Sequence, residues 1–247
     1  MSLNGWRIGV IIPTRNEAQA LPTVLADMPE FVDAVAIGDY RSTDGTPEIG
    51  RHHGAIVVEV EQPGYGAACL AAIAVLPPVD IIVFVDGDAA DDLSGMAELV
   101  GPIVAQQADF TLGSRALGQR EAGALTPQQM FGNWLACALI RLIWGARFTD
   151  LGPFRAISRA AFEGLAMADL NFGWTVEMQI KAVRKGLRTI EIPVDYRRRV
   201  GVSKVSGTLS GAVKAGMKIL WVIAREAFRP ARQERPRPRR PRRSVLD

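Results

Sequence analysis

Short apolar runs alternate with amphipathic stretches through the first half of the chain. Runs at 7–13, 32–38, 55–60, 81–85 and 110–113 are rich in Val, Ile and Phe and read as strands. Between them, apolar residues recur at helical spacing over 17–28, 67–76 and 94–106, with a shorter helix ending near His53. Asn16 is a plausible N-cap for the first helix. Strands and helices in this order predict an α/β fold, a mostly parallel sheet with helices on both faces.

The second half has a different rhythm. A long helix is expected at 126–145, with Thr126 as cap and Pro127 at the first helical position. A loop at 150–154, helices at 159–165 and 175–185, a strand at 187–194 and a last helix at 209–228 complete the pattern. The predicted organisation is a main domain over 1–208, an amphipathic helix over 209–228, and an Arg/Pro-rich tail over 229–247 expected to be disordered.

Composition narrows this picture. With 247 residues, 48% apolar and 22% charged, the chain can bury a substantial core. Cys69 and Cys137 are far apart in apolar segments, which offers no disulfide framework and fits a reducing, cytoplasmic setting. His52 and His53 are adjacent, a spacing unsuited to a helical metal site, and are expected at the surface. No leader is expected ahead of the first strand, and no apolar run approaches the roughly 20 residues that span a bilayer. The tail's eight arginines, against Glu234 and Asp247, carry +6; with +3 overall, the rest of the chain carries about −3. Basic character therefore belongs to the tail, and without a stacking platform or a recognised fold it does not argue for nucleic acid.

Candidate chemistry collects where the early strands end. The run Ile81–Val85 delivers Asp86-Gly87-Asp88, two hard oxygen donors at the C-terminal end of a buried strand. Open α/β sheets bind ligands at that rim, and Mg²⁺ commonly shares its sphere between one or two carboxylates and substrate phosphates. Pro13-Thr14-Arg15-Asn16-Glu17 leaves the first strand, Asp39 the second, and Gly64-Tyr65-Gly66 the third. An acidic side chain there can accept hydrogen bonds from a base or ribose, and a glycine turn can admit a ligand close to backbone. Each piece alone also reads as a cap or a turn; their order makes the case.

In this order the chain resembles family 2 glycosyltransferases of the GT-A fold, in particular the polyprenyl-phosphate (dolichol-phosphate mannose synthase-like) branch. Pro13 and Glu17 match the opening P-x-x-N-E, Asp39–Thr46 the DDGSTDGT segment, Gly64–Ala68 the glycine turn and Asp86/Asp88 the metal-binding Asp-x-Asp. Gly113-Ser114-Arg115 matches the family's G-S-R, and Asp150–Arg155 resembles its acceptor-side loop. Tyr40 and Arg41 depart from the usual second acid and glycine, and Gly152-Pro153-Phe154 from Ser-Gly-Phe.

The resemblance implies inverting transfer of a hexose from a UDP- or GDP-sugar to a polyprenyl phosphate, with Mg²⁺ or Mn²⁺ held by Asp86 and Asp88. It implies donor contacts from Pro13, Glu17, Asp39, Gly64, Gly66, Asp86 and Lys204, the last in an Arg199-x-Gly-x-Ser-Lys loop. Arg115, Asp150, Arg155 and Trp174 are the acceptor-side candidates, and Asp88, Arg115 and Glu177 the catalytic ones. Asp91 and Asp92 are read as caps of the next helix, with metal or sugar binding as the alternative. A phosphate nucleophile needs positioning by arginines, whereas a hydroxyl acceptor needs a base, for which Glu177 is the candidate; an i, i+4 surface pair with Lys181 is its plainer reading.

Two apolar helices bear on the acceptor. The stretch 130–148 carries Trp134, Leu135, Leu139, Ile140, Leu142, Ile143 and Trp144 around Arg141, and the last helix sets Lys214, Lys218 and Arg225 apart from Val213, Met217, Leu220 and Trp221. Either both pack on the core or they lie in a membrane interface, on the inner face of the cell membrane, with the Arg-rich tail adding attraction to anionic lipid. Two readings from other classes are a sugar nucleotidyltransferase, which would want a Gly-rich basic loop after the first strand, and a non-catalytic membrane-associated binding module. No oligomeric state follows from the sequence.

Overall fold

The computed structural model describes residues 3–201 and 209–229. Lys204, expected at the donor, and the Arg/Pro-rich tail beyond Arg229 lie outside the described residues.

Strand β1 (Ile8–Thr14) pairs in parallel with β2 (Ala34–Asp39) on one side and with β4 (Ile81–Phe84) on the other. Outside β2 lies β3 (Ile56–Glu59), and beyond β4 come β6 (Arg155–Ser158), β5 (Phe110–Ser114) and β7 (Thr189–Pro193). Among the described residues, the sheet has seven strands in the order β3-β2-β1-β4-β6-β5-β7, and only β6 runs antiparallel to its neighbours. It lies where residues 155–158 followed an expected loop with no strand assigned. A four-residue strand that begins with a charge has too little pattern to announce itself.

The alternation of β1 explains the layers. Ile8, Val10 and Ile12 pack with Leu21 and Val24 of α1 (Leu21–Ala26) and with Leu99, Val100 and Ile103 of α4 (Met96–Val104). Ile11 points the other way, toward Cys69, Ala72 and Ile73 of α3 (Tyr65–Val75) and Trp174 and Met178 of α7 (Trp174–Arg184). α2 (Thr46–His52) and α6 (Arg159–Leu165) are short surface covers, and the adjacent histidines are exposed, as expected. α1 starts later than expected, after Ala20, and Asn16 is not its cap. Asn16 instead adopts φ 52° and ties the β1 loop to the β2 loop, its N–H donating to Ser42 Oγ and its Oδ1 accepting from Thr43 N.

Helix α5 (Pro127–Trp144) has the expected start, with Thr126 and Gln129 bonding each other's backbone in a capping box. It packs with α7 and α8 (Leu209–Ala227) through Ala136, Cys137, Ile140, Val176, Ile180, Val222 and Ile223. One face of each helix builds core, as the packing reading expects, while Phe131, Trp134 and Leu142 of α5 and Val213, Met217 and Trp221 of α8 stand exposed. Among the described residues, no helix is long and apolar enough to cross a membrane.

Candidate active site

Parallel pairing brings the ends of β1, β2 and β4 to one rim, and a cavity of about 290 Å³ opens there. Pro13, Glu17, Tyr40, Gly64, Tyr65, Asp86, Asp88 and Arg199 are in its wall, so four of the expected donor contacts, Pro13, Glu17, Gly64 and Asp86, meet there with the second expected metal ligand, Asp88. Asp39 does not line it. Register places Thr14 beside Asp39, and Thr14 Oγ1 donates to Asp39 Oδ1 at 2.8 Å while Ser42 donates through Oγ and N. The buried carboxylate thus holds the rim together beneath Tyr40, and Tyr40 is what the cavity meets. The Arg15 guanidinium lies 5.0 Å from the Tyr40 ring centroid.

The glycines after β3 are needed for a different approach from the one expected. A Cβ on Gly64 would stand 1.9 Å from Leu170 O, and one on Gly66 would stand 2.1 Å from Asp169 O. The segment at 169–172 is pressed against this turn, and Ala67 N donates to Leu170 O at 3.0 Å. It contributes Asn171 and Phe172 to the cavity wall, residues that carry no motif in the sequence.

Three carboxylates crowd the floor. Asp86 Oδ1 accepts from the Tyr65 hydroxyl at 3.0 Å, Asp88 Oδ1 from Ala90 N at 3.1 Å, and Asp91 Oδ2 from Asp86 N at 3.3 Å. Burial, and then the Asp88 charge, push Asp86 up to about 7; burial, Asp86 and Asp88 likewise drive Asp91 well above the ordinary carboxylate range. Among the described residues, Asp91 Oδ1 is buried without a hydrogen-bond partner. The expected roles of Asp91 and Asp92 therefore divide: Asp92 caps the short 3₁₀ turn 93–95 by accepting from Ser94 N, and Asp91 joins the acidic cluster.

Arg199 supplies a cation, loosely, at 3.4 Å from Asp88 Oδ2 and 3.4 Å from Glu17 Oε1. Among the described residues, no three His, Cys, Asp or Glu side chains form a metal cage. A cation on Asp86 and Asp88 would complete its sphere with water or a diphosphate, an arrangement that suits Mg²⁺.

Arg115 and Asp150 form the second part of the site. Arg115 donates from Nε and Nη2 to the two Asp150 oxygens, each at 2.7 Å, and its backbone N–H adds a third bond at 2.8 Å. This fork holds Asp150 below the ordinary carboxylate range against burial, and Arg115 above the ordinary arginine one. Asp150 also lines a groove of about 900 Å³ along α5, walled by Leu125, Met130, Trp134, Leu142 and Phe148 with Arg120 and Arg141. Arg120 escaped the sequence reading; Arg141 gave a signal, as the one charge inside an apolar helix.

Three expected acceptor or catalytic residues are elsewhere. Arg155 is fully buried: it donates to the carbonyls of Leu151, Gly152 and Thr175, with its guanidinium 5.9 Å from the Phe110 centroid. It ties the 151–152 loop to α7 and reaches neither cavity. Trp174 is buried against Phe84 and Phe162. Glu177 is also buried, not a surface partner of Lys181. Its Oε2 accepts from the N–H groups of Ala168 and Asp169, and its Oε1 pairs with Lys181 at 3.1 Å and Arg225 at 2.8 Å. Short side chains or distant partners decide these placements, and neither is visible along the chain.

A mostly parallel seven-stranded sheet, with an acidic cavity where its central strands end, defines an α/β transferase of the GT-A fold. The glycosyl transferase family 2 pattern matches residues 9–165, and the chain belongs to that family of enzymes. An uncharacterized glycosyltransferase of Mycobacterium tuberculosis is 32% identical over 228 residues, covering 89% of this chain and 99% of the relative. The undecaprenyl-phosphate mannosyltransferase of Micrococcus luteus is 27% identical over 221 residues, covering 83% and 90%. Among solved structures, glucosyl-3-phosphoglycerate synthase from Mycobacterium tuberculosis, in complex with Mn²⁺, UDP and glucosyl-3-phosphoglycerate, has a TM-score of 0.74 at 22% identity, covering 92% of this chain and 82% of that one. That likeness supports the fold.

Proposed function

We propose that this enzyme transfers a hexose, with inversion, from a UDP- or GDP-sugar to a polyprenyl phosphate or related lipid-linked acceptor, at the inner face of the cell membrane. The observation that carries the reading is the pair of unlike cavities, one acidic at the ends of β1, β2 and β4 and one apolar along α5, the second lined by Asp150 of the Arg115–Asp150 fork. The donor's diphosphate belongs in the first and an isoprenoid chain in the second. Relatives that act on dolichyl or undecaprenyl phosphate support the acceptor class.

Asp86 and Asp88 would hold Mg²⁺ or Mn²⁺, which supplies charge neutralisation to the departing diphosphate; neighbours crystallised with both ions are consistent with this. Arg199, already beside Asp88, is placed to meet the donor phosphates. Tyr65 keeps Asp86 oriented through its hydroxyl. At the other cavity, Arg120 and Arg141 offer cations to an acceptor phosphate, and Trp134, Met130 and Leu142 offer apolar surface to its chain. A phosphate oxygen attacks the anomeric carbon as the bond to the donor's phosphate oxygen breaks, and the electron pair leaves with the nucleoside diphosphate. The nucleophile is already an anion, so no base is required. That agrees with Glu177, whose oxygens are occupied by two N–H groups and two cations.

The test is a panel of UDP- and GDP-hexoses with Mn²⁺ or Mg²⁺ and a short polyprenyl phosphate, read by nucleoside diphosphate release and glycolipid formation. Glycolipid formed in step with release is the expected result. Transfer only to water-soluble hydroxyl acceptors would overturn the lipid assignment, and release that survives Asp86→Asn/Asp88→Asn would overturn the metal assignment.

A further inference from the structure

Asp169 is one of the few fully buried carboxylates outside the acidic cluster, and its two oxygens have different tasks. Oδ1 accepts from Asn171 N at 2.9 Å and Gly173 N at 3.1 Å, folding the segment whose Asn171 and Phe172 wall the donor cavity. Oδ2 receives no hydrogen bond among the described residues; its charge is met by Lys218 Nζ, 2.8 Å away, from α8. Lys218 keeps a third of its side chain exposed and lies over the exposed Trp221 ring, 4.6 Å from its centroid. A second contact takes the same route: a Cβ on Gly173 would stand 2.5 Å from Val222 of α8 and 2.8 Å from Asp169 Cγ.

The order of contact is therefore continuous. α8 touches Asp169, Asp169 folds 170–173, and the backbone of 169–170 presses on Gly64 and Gly66 at the cavity edge. A buried carboxylate stripped of its cation moves toward water or draws water in, because isolated charge in a low-dielectric interior is unfavourable. Here either response shifts the wall that Asn171 and Phe172 make.

We propose that Asp169 and Lys218 are positioning residues for the nucleotide sugar, so that α8, remote in sequence, sets the shape of the donor cavity. The proposal rests on the donor-site reading of that cavity. It assigns neither residue contact with the reacting atoms.

Binding of UDP and of GDP, each with Mn²⁺, is measured by calorimetry for the full chain and for Lys218→Met, Asp169→Asn and the double variant. Each single variant is expected to weaken the better-bound nucleotide about tenfold, the scale at which loss of one charged partner shifts a site. The double variant, in which neither charge is left alone, and Lys218→Arg are expected to recover to within about threefold. Singles that bind like the parent, or a double weakened by the product of both, would overturn the proposal. Amide exchange at Asn171 and Gly173 is followed in parallel: faster exchange in Lys218→Met supports the positioning role, and unchanged exchange overturns it whether or not nucleotide binds. Parent protein that binds neither nucleotide would overturn the donor-site reading itself, a result separable from the exchange data.

Discussion

The two cavities are built by opposite means. Around the donor side, four consecutive parallel strands place their loops on one rim, and side-chain bonds from Thr14 and Ser42 to Asp39 stiffen it. Around the acceptor side, one antiparallel strand, three packed helices and buried ions do the work. Glu177, Lys181, Arg184, Arg225 and Glu226 join α7 to α8, and Arg155 and Asp150 reach across loops. The first design repeats a rule of α/β folds; the second is particular to this chain. Charge near the first is expected to act on chemistry, and charge near the second on stability.

That contrast is broken or sharpened by substitution. The largest effect is expected from Asp88→Asn, which should lower hexosyl transfer on the order of 100-fold or more while circular dichroism and the unfolding midpoint stay close to the parent. Equal loss of fold and activity would place Asp88 with the structural ions. Glu177→Gln should do the reverse and remove about 3 kcal/mol of stability by stranding buried cations. Urea midpoints would show it, with kcat of the folded enzyme little changed. A kcat loss of about 100-fold at an unchanged midpoint would restore Glu177 to the role of a base.

Trp134→Ser with Leu142→Ser addresses the groove. Exposed apolar area lost there should raise KM for a polyprenyl phosphate about 100-fold and weaken binding to anionic vesicles, since two apolar side chains at roughly 1.5 kcal/mol each, the low end for burial, contribute about 3 kcal/mol. Nucleotide binding should not change. Arg115 and Asp150 give a smaller, pH-dependent effect. The folded pKa of Asp150 is depressed, so its contribution is full above the unfolded carboxylate value of about 3.9 and is lost as pH falls through the lower folded one. The stability gap between the parent and Arg115→Met, taken from urea midpoints, should be widest above pH 4 and narrow below it.

The smallest effect is expected at Arg41, held at φ 46° where the family pattern has glycine. Left-handed backbone costs a side-chain-bearing residue about 1–2 kcal/mol, partly offset by the entropy glycine loses on folding. Arg41→Gly should therefore raise the melting temperature slightly or leave it level.

Legibility in the sequence follows the same division. The runs before Pro13, Asp39 and Asp86 are bounded by turn residues and have a clear period, so their strands, and the rim they make, could be placed from the pattern. The place of Asp39 at the end of β2 is legible, but its bond from Thr14 is not, because Thr14 is a neighbour only through register. Arg155 and Glu177 look like exposed charges when read along the chain. Their burial depends on carbonyls at 151–152 and 175 and on Arg225, partners that sequence spacing does not reveal. The basic positions of α8 misled in a similar way: Lys218 and Arg225 turn toward Asp169 and Glu177, and the apolar row is the face left outward.

The lone antiparallel strand has a consequence for how the chain is made. β5 leaves the ribosome some forty residues before β6, yet it joins β4 only through β6, which lies between them. The β3-β2-β1-β4 half can assemble as it emerges, while β5 must wait as an unpaired hydrophobic edge until residues 155–158 arrive. Insertion of that four-residue strand is then the step that joins β5 to the earlier half of the sheet, a non-local event of the kind that slows folding and exposes a chain to aggregation.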